Sequence, residues 1–126
     1  MKNRDIIKNI NNLIKLQNEQ AEMIKNNPLL PRLPLKISLA INRNKQKMVD
    51  EYKIYEKTLN QYLKDNGVIN GNFTSLELDT QQKLQEQINE LQNEDVNIDI
   101  VKFNEVDFKD YTPTLEELDI LSFMIE

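Results

Sequence analysis

The feature that most constrains the fold is a stretch of 31 residues, Leu35–Asp65, that contains neither glycine nor proline. Its apolar residues recur at intervals of three, four and seven, which predicts one amphipathic helix with a seam along one side. The seam residues are Ile41, Met48, Tyr52, Tyr55, Leu59 and Tyr62, and Lys45 takes the slot between the first two. Such a helix would be roughly 46 Å long, whereas a compact globule of this chain length has a radius of gyration of about 14 Å. We therefore expect an elongated molecule built around this helix.

A first helix is predicted over Asn3–Lys25, because apolar residues again alternate at intervals of three and four. Its stripe consists of Ile7, Ile10, Ile14, Gln17, Ala21 and Ile24, widened by Ile6 and Leu13. This stripe should lie against the seam of the long helix. The polar positions Gln17 and Lys45 would then fix the register of the pair, which we state as a hypothesis.

The connector between the two helices carries Pro28, Pro31 and Pro34 at every third position. Because proline lacks an amide donor and restrains the residue before it, the first helix should end near Asn26 and the connector should be extended. With Arg32, the Pro-x-x-Pro spacing also matches what polyproline-binding domains recognise. We favour an antiparallel helical hairpin, since the leucines of the connector can pack under the chain reversal.

The long helix should stop at Asp65, because Gly67 can take the left-handed position that follows a helix end. The Asn70-Gly71 pair then predicts a tight turn, flanked by Val68–Ile69 and Phe73–Leu78 as a short hairpin. Alternatively, Thr74 and Glu77 could form a capping box that starts the next helix early. We favour a strand at Phe73–Leu78 and a helix from Thr80 to Gln92.

A second strand is predicted at Val96–Ile100, where apolar and polar residues alternate. Because an isolated strand cannot satisfy its own backbone, it should pair with Phe73–Leu78 or with the same strand of another subunit. Thr112-Pro113-Thr114 with Glu117 predicts the start of a last helix. Its apolar face would be Leu115, Leu118, Leu121 and Met124 or Ile125, and the apolar chain end must be packed or bound.

The predicted fold class is α+β and mostly α: a long helical hairpin with a minor two-stranded β element and two shorter helices. We expect a single domain over residues 1–126, with the hairpin in residues 1–66 and an acidic α+β part in residues 67–126.

Composition removes many functions, because the chain has no His, Cys or Trp. The usual near-neutral base, the thiolate nucleophile and the soft zinc ligands are therefore missing, as is any disulfide. No motif indicates a cofactor. Neither a signal peptide nor a membrane span is evident, so we expect no membrane partner.

Charge divides the chain unevenly. Residues 1–76 hold 13 Lys/Arg and 7 Asp/Glu, whereas residues 77–126 hold 3 Lys and 14 Asp/Glu. The acidic part could dock on the basic hairpin, or the asymmetry could drive head-to-tail self-association. The acidic part could instead bind a basic partner, such as a nucleic-acid-binding groove that it would block. Direct nucleic-acid binding is not expected, because basic residues are interleaved with acidic ones.

Two sets of residues are candidates for partner binding. The first set lies on the long helix, where tyrosines can serve as core or interface and basic residues form a ridge. These residues are Tyr52, Tyr55, Tyr62, Arg43 and Lys47, with Lys57 on the same ridge. The second set is acidic and consists of Asp107, Asp110, Glu116, Glu117 and Asp119. Their spacing matches no calcium loop, so a solvated acidic helix start is favoured over a metal site or carboxylate catalysis.

Two segments of the chain carry a family resemblance. The first is Leu33-Pro-Leu-Lys-Ile-Ser-Leu-Ala-Ile-Asn-Arg-Asn-Lys at the start of the long helix. The second runs from Glu86 to Ile100 and on into Thr112-Pro-Thr-Leu-Glu-Glu-Leu-Asp-Ile-Leu-Ser-Phe-Met-Ile. Both resemble a family of small proteins of unknown function from phages and prophages of Gram-positive bacteria. The resemblance covers about residues 30–125 and leaves the first helix outside. It implies a viral origin and action in the host bacterial cytoplasm, and it brings no catalytic or ligand residues.

We therefore expect a non-enzymatic phage or prophage protein that binds a host or phage protein. The favoured role is inhibition of a bacterial defence or host process. The alternative is a virion assembly or structural component that acts through self-association, as a homo-oligomer.

Overall fold

A computed structural model describes residues 1–69, 71–73 and 76–126 of the chain. Within these residues the chain forms four α-helices: α1 (Asn3–Asn26), α2 (Leu35–Asp65), α3 (Leu78–Asn93) and α4 (Leu115–Leu121). Short 3₁₀ helices lie at Glu105–Phe108, between α3 and α4, and at Ser122–Met124, directly after α4. None of the helices in these described ranges is both long enough and apolar enough to cross a bilayer.

The helical hairpin is confirmed. The long helix has the predicted bounds, and α1 extends one residue beyond the predicted end. At the end of α2, Gly67 has a φ of +82°, and its N–H donates to the Lys64 carbonyl at 3.1 Å. The N–H of Val68 donates to the Leu63 carbonyl at 2.9 Å. This pair of hydrogen bonds is a Schellman motif, which satisfies the last carbonyls of the helix.

The buried face of α1 differs from the predicted stripe. Its buried apolar residues are Ile6, Ile10, Leu13 and Leu16, whereas Ile14 is 42% exposed and Ala21 is exposed. The face is rotated because α1 packs not only on α2 but also on α3 and α4. Ile6 and Leu13, which were expected only to widen the predicted stripe, therefore lie at the centre of the observed buried face.

The two polar positions of the hairpin do meet. Lys45 Nζ donates to Gln17 Oε1, and Gln17 Nε2 donates to Asn42 Oδ1 at 2.8 Å. Gln17 thus links two residues of α2 that lie almost one turn apart. That this contact sets the register of the hairpin remains a prediction.

The predicted β element is wrong, and the described part of the chain is helical without a strand. Its β-type pairing is limited to isolated bridges between Lys2 and Asp95, Ile69 and Asn72, and Phe103 and Ile125. The first predicted strand, Phe73–Leu78, already enters α3 at its last residue. Thr74 of the alternative capping box, and Asn70 of the predicted turn, lie outside the described residues.

The second predicted strand is a lone segment, residues 96–102, without helix, turn or bridge. The backbone of Val101 is held by the buried side chain of Asn44 on α2, through two hydrogen bonds of 2.8 Å. At the start of the segment, the N–H of Val96 donates to the Met1 carbonyl at 2.7 Å. The alternation of its side chains was predicted correctly. Its backbone, however, forms hydrogen bonds with α2 and with Met1 at the chain terminus and not with a neighbouring strand.

The last helix begins as predicted. Thr114 Oγ1 accepts from the Glu117 N–H at 3.1 Å, and Glu117 Oε1 accepts from the Thr114 N–H at 3.0 Å. Its predicted apolar face is only partly right, because Leu115 is 86% exposed. The apolar chain end packs in the core, where Leu121 and Met124 are fully buried.

One core joins the hairpin to the C-terminal segments. Its buried members come from α1, α2, the 3₁₀ helix Glu105–Phe108 and the last 25 residues. They are Ile6, Ile10, Leu13, Leu16, Ile37, Ala40, Ile41, Met48, Phe103, Phe108, Ile120, Leu121 and Met124. The distal half of α2 lies beyond this core, next to α3.

Candidate protein-binding surface

The three predicted tyrosines divide between interior and surface. Tyr55 is only 8% exposed, and the half-buried ring of Tyr52 stacks on it with a centroid separation of 6.1 Å. A hydrogen bond with Glu56, together with burial, raises the pKa of the Tyr52 hydroxyl. Tyr62 is 37% exposed. Of the three, Tyr62 is therefore the residue available to a partner.

Tyr62 lies in a cleft between α2 and α3, which we call the distal cleft. The cleft has a volume of about 150 Å³. Its lining is mixed apolar and amide, with Thr58, Leu59 and Tyr62 from α2 and Gln87, Ile88 and Leu91 from α3. At the far end of α3, Asn3 Nδ2 donates to the Leu91 carbonyl at 2.8 Å, which ties α3 to the start of α1. The cleft therefore has two walls of regular helix.

The side of α2 on which Tyr62 lies is covered by another segment along the first half of the helix and is open along the second half. Near the first half, Asn44 holds Val101, and Lys47 Nζ donates to the Asp99 carbonyl at 2.7 Å. Tyr62 follows Asn44 by 18 positions, and Asp65 follows Lys47 by 18 positions, which is five helical turns in each case. They therefore lie on the same lines of the helix, but they are exposed. Beside them Ile54 is 60% exposed.

The border of the distal cleft is mainly acidic. Glu86 and Glu90 of α3, and Glu94 directly after its last residue, are all exposed, and we call them the acidic ridge. Glu90 follows Gln87 of the cleft lining by three residues, so it lies on the same side of the helix. Glu51 and Asp65 add negative charge on α2, against Lys57 and Lys83. A cationic segment would therefore meet favourable electrostatics here.

The five acidic residues predicted near the C-terminus do not form one face. Asp107 accepts from the Asn104 N–H at 2.8 Å and from Lys36 Nζ at 3.1 Å, and these contacts hold the pKa of its carboxyl below the ordinary value of 3.8. Glu116 Oε1 forms an ion pair with Lys15 Nζ at 2.9 Å. Both ion pairs join the acidic part to the basic hairpin within one chain. Asp110 and Asp119 are exposed.

Glu117 belongs to a hydrogen-bonded cluster with Tyr111 and Gln20. The Tyr111 hydroxyl donates to Glu117 Oε2 at 2.5 Å, and Gln20 Nε2 donates to the same carboxylate oxygen at 2.8 Å. Burial, and then the Glu117 hydrogen bond, raise the pKa of Tyr111 to about 12. The cluster borders a cavity of about 210 Å³ that Met23, Leu30 and other residues close. It fastens the start of α4 to α1.

Half of the predicted acidic and basic candidates are therefore committed to intrachain contacts, namely Lys47, Asp107, Glu116 and Glu117. Within the described ranges, no three acidic residues are close enough to one another to hold a metal ion. Lys47 is half-buried against the Asp99 carbonyl, which breaks the predicted basic ridge, while Arg43 and Lys57 remain exposed.

Sequence reasoning missed Asn44, which is fully buried and organises the C-terminal segment. A signal was present, because the interval of seven between Ile41 and Met48 leaves either residue 44 or residue 45 for the seam. It also missed the α3 wall of the distal cleft, although Ile88 and Leu91 were predicted to share a face. Comparison with protein-family models, with curated proteins and with solved structures gives no match.

Proposed function

We propose that the protein acts without catalysis, by binding a basic amphipathic helix of another protein in the distal cleft. The observation that carries the proposal is that one flank of α2 is covered in its first half and open in its second half. Residues 99–101 cover it beside Asn44 and Lys47, whereas Ile54 and Tyr62 on its second half are exposed. A helix laid there would bury Tyr62 against Leu59 and Leu91 of the cleft and would cover Ile54 on the adjoining surface of α2.

Helix-in-groove recognition fits the shape and the charge of this surface. The walls of the cleft are helical, and an incoming helix with apolar residues at intervals of three and four would complete a three-helix arrangement. Lysines or arginines on its flanks would face Glu90 of the acidic ridge, with Asp65 on the other side. Tyrosine is among the residue types that contribute most to binding, since it buries a large ring and keeps its hydroxyl hydrated.

Given the resemblance to phage and prophage proteins, we propose that the partner is a bacterial or phage protein. The favoured role is inhibition of a bacterial defence or host process in the cytoplasm. Self-association in virion assembly remains the alternative role.

Affinity capture from a bacterial lysate with matched baits tests this function. Tyr62→Ser and Ile54→Ser should lose the captured protein, because they remove apolar contact area from the open flank. Leu115→Ser is the control, since it removes an exposed apolar side chain from α4, away from the distal cleft. The captured protein should contain a basic amphipathic helix that competes as a synthetic peptide. Equal capture by all baits would contradict the proposal.

A further inference from the structure

The cavity beside the cluster of Tyr111, Glu117 and Gln20 has one apolar wall and one polar wall. Its volume is about 210 Å³, far more than a single water molecule needs. The polar wall contains this cluster together with Asp110. The apolar wall comes from the last turn of α1 and from the connector, and it consists of Met23, Ile24, Leu30 and Pro31.

The hydrogen-bond donors of the cluster are already used within the chain. Gln20 Nε2 donates both to the Tyr111 hydroxyl, at 2.5 Å, and to Glu117 Oε2, at 2.8 Å. The Tyr111 hydroxyl donates to the same carboxylate oxygen. The backbone N–H groups of Thr114 and Glu117 are paired with each other's side chains. A ligand in the cavity therefore meets few free donors.

Acceptors, by contrast, remain free on the polar wall. An ionised carboxylate accepts about four hydrogen bonds, and Glu117 accepts three. The amide oxygen of Gln20 and the carboxylate of Asp110 accept none from the described part of the chain. Both charged residues that line the cavity are acidic, and neither lysine nor arginine lines it. The cavity is therefore complementary to a cation that carries several donors.

A tight turn places Asp110 at the rim of the cavity. The N–H of Tyr111 donates to the Phe108 carbonyl at 2.9 Å, and Lys109 has a φ of 54° and a ψ of −120°. These angles are those of the first central residue of a type II′ turn, where a lysine is strained because its φ is positive. Asp110 is the second central residue and is exposed, so a ligand can reach it.

We infer that this cavity binds a primary alkylammonium group, which is an ammonium on a flexible hydrocarbon chain. The ammonium offers three donors and one positive charge, which match the free acceptors of Asp110, Gln20 and Glu117. The hydrocarbon chain packs on the apolar wall, as the stems of lysine side chains do on apolar surfaces.

Lysine side chains of other proteins and free alkyl amines share this chemistry. The cavity lies at the end of the hairpin where α1 ends and α2 begins, whereas the distal cleft lies beside the second half of α2. The inference therefore does not rest on the proposed function.

Titration of the isotope-labelled full chain with n-butylammonium chloride, at constant ionic strength, tests this site. Amide resonances of Met23, Leu30 and Tyr111 should shift and saturate, with a Kd in the millimolar range because so small a ligand makes few contacts. Sodium n-butyrate, which has the same chain length and the opposite charge, should leave these resonances unchanged.

Asp110→Asn should weaken the binding of n-butylammonium about tenfold, because it removes one of the two negative charges of the cavity. It removes no hydrogen bond of the described fold, and circular dichroism checks that the helix content is kept. Asp119→Asn is the matched control, since Asp119 is an exposed carboxylate that does not line the cavity. Met23→Ser should weaken the binding as well, whereas Tyr62→Ser in the distal cleft should leave it unchanged.

Nα-acetyl-lysine amide distinguishes the two sources of the ammonium. Binding at least as tight as that of n-butylammonium assigns the cavity to a lysine side chain of another protein. Binding of n-butylammonium alone assigns it to a free alkyl amine, and either result supports the inference. Equal affinities of the Asp110 and Asp119 variants, or equal shifts with n-butyrate, would overturn it. Shifts that never saturate with n-butylammonium would overturn it as well.

Discussion

The side-chain amide of Asn44 holds the backbone of Val101 with two hydrogen bonds of 2.8 Å, donating to its carbonyl and accepting from its N–H. Asn44 thereby acts as a one-residue strand partner for a segment that has no strand beside it. Because Asn44 is fully buried, its side-chain amide has no access to water that could replace Val101 as its partner.

Asn44→Ala should destabilise the protein by roughly 2–4 kcal/mol, because it removes the partner of the part-buried N–H and C=O of Val101 and leaves a cavity at a fully buried position. Urea unfolding followed by circular dichroism measures the change. The control is Asn11→Ala, which makes the same substitution at an exposed position of α1. Similar unfolding midpoints for the two variants would show that the Asn44 contact contributes little.

Asp107→Asn should destabilise the protein at neutral pH and much less in acid. The Lys36 and Asn104 contacts lower the carboxyl pKa in the folded state, so the stabilisation is complete above the ordinary value of 3.8 and is lost as the pH falls through the lowered value. Urea midpoints of both proteins from pH 7 to pH 2 measure this convergence. Asp119→Asn, at an exposed carboxylate, is the control. A stability difference that stays constant down to pH 2 would argue against the lowered pKa.

Tyr111→Phe should cost about 1 kcal/mol at neutral pH, because the Glu117 and Gln20 side chains lose a hydrogen-bond partner. The folded-state pKa of about 12 exceeds the ordinary value of 10.0, so the stabilisation is present below pH 10 and is lost as the pH rises from 10 to 12. Ultraviolet absorbance titration should show a late-ionising component from Tyr111, and this component should vanish in the variant, whereas the Tyr52 hydroxyl, whose pKa is also raised, should be unaffected. Tyr62→Phe, whose hydroxyl bonds to no described residue, should retain the late signal.

Gly67→Ala should destabilise the end of α2 by about 1 kcal/mol, because alanine is strained at positive φ. Space is not the cause, since a Cβ at this position would lie 3.7 Å from Leu76 Cδ2, an ordinary contact. Gly67→Asn should cost less than Gly67→Ala, because asparagine tolerates the left-handed conformation. Thermal unfolding ranks the three proteins. An alanine variant as stable as the asparagine variant would rule out the conformational explanation.

The helical elements could be predicted from the sequence because their signals are local. The bounds of α2 follow from a long stretch without glycine or proline that ends before Gly67, and the start of α4 follows from Thr114 and Glu117. The β element could not be excluded from local signals. The alternation at Val96–Ile100 is a true property of an extended chain, but its backbone partner is a side chain 57 residues away.

The candidate site was predictable only in part for the same reason. Tyr62 could be proposed as an interface residue from its spacing in the sequence. Its exposure, however, depends on where the segment of residues 96–102, which lies beside Asn44, ends along α2. The acidic residues were named as one set of candidates for partner binding, whereas Lys15 and Lys36 of the hairpin pair with Glu116 and Asp107 of that set. Such long-range pairings leave no periodic pattern in the chain.

Titration of isotope-labelled protein with a synthetic amphipathic peptide of leucine and lysine tests the proposed binding surface most directly. Amide resonances of Ile54, Tyr62 and Ile88 should shift on binding, and Tyr62→Ser should weaken the binding about tenfold while Leu115→Ser leaves it unchanged. A matched peptide with glutamate in place of lysine should not bind. Shifts spread over the whole acidic surface, or equal binding by the Tyr62 and Leu115 variants, would contradict a binding site in the distal cleft.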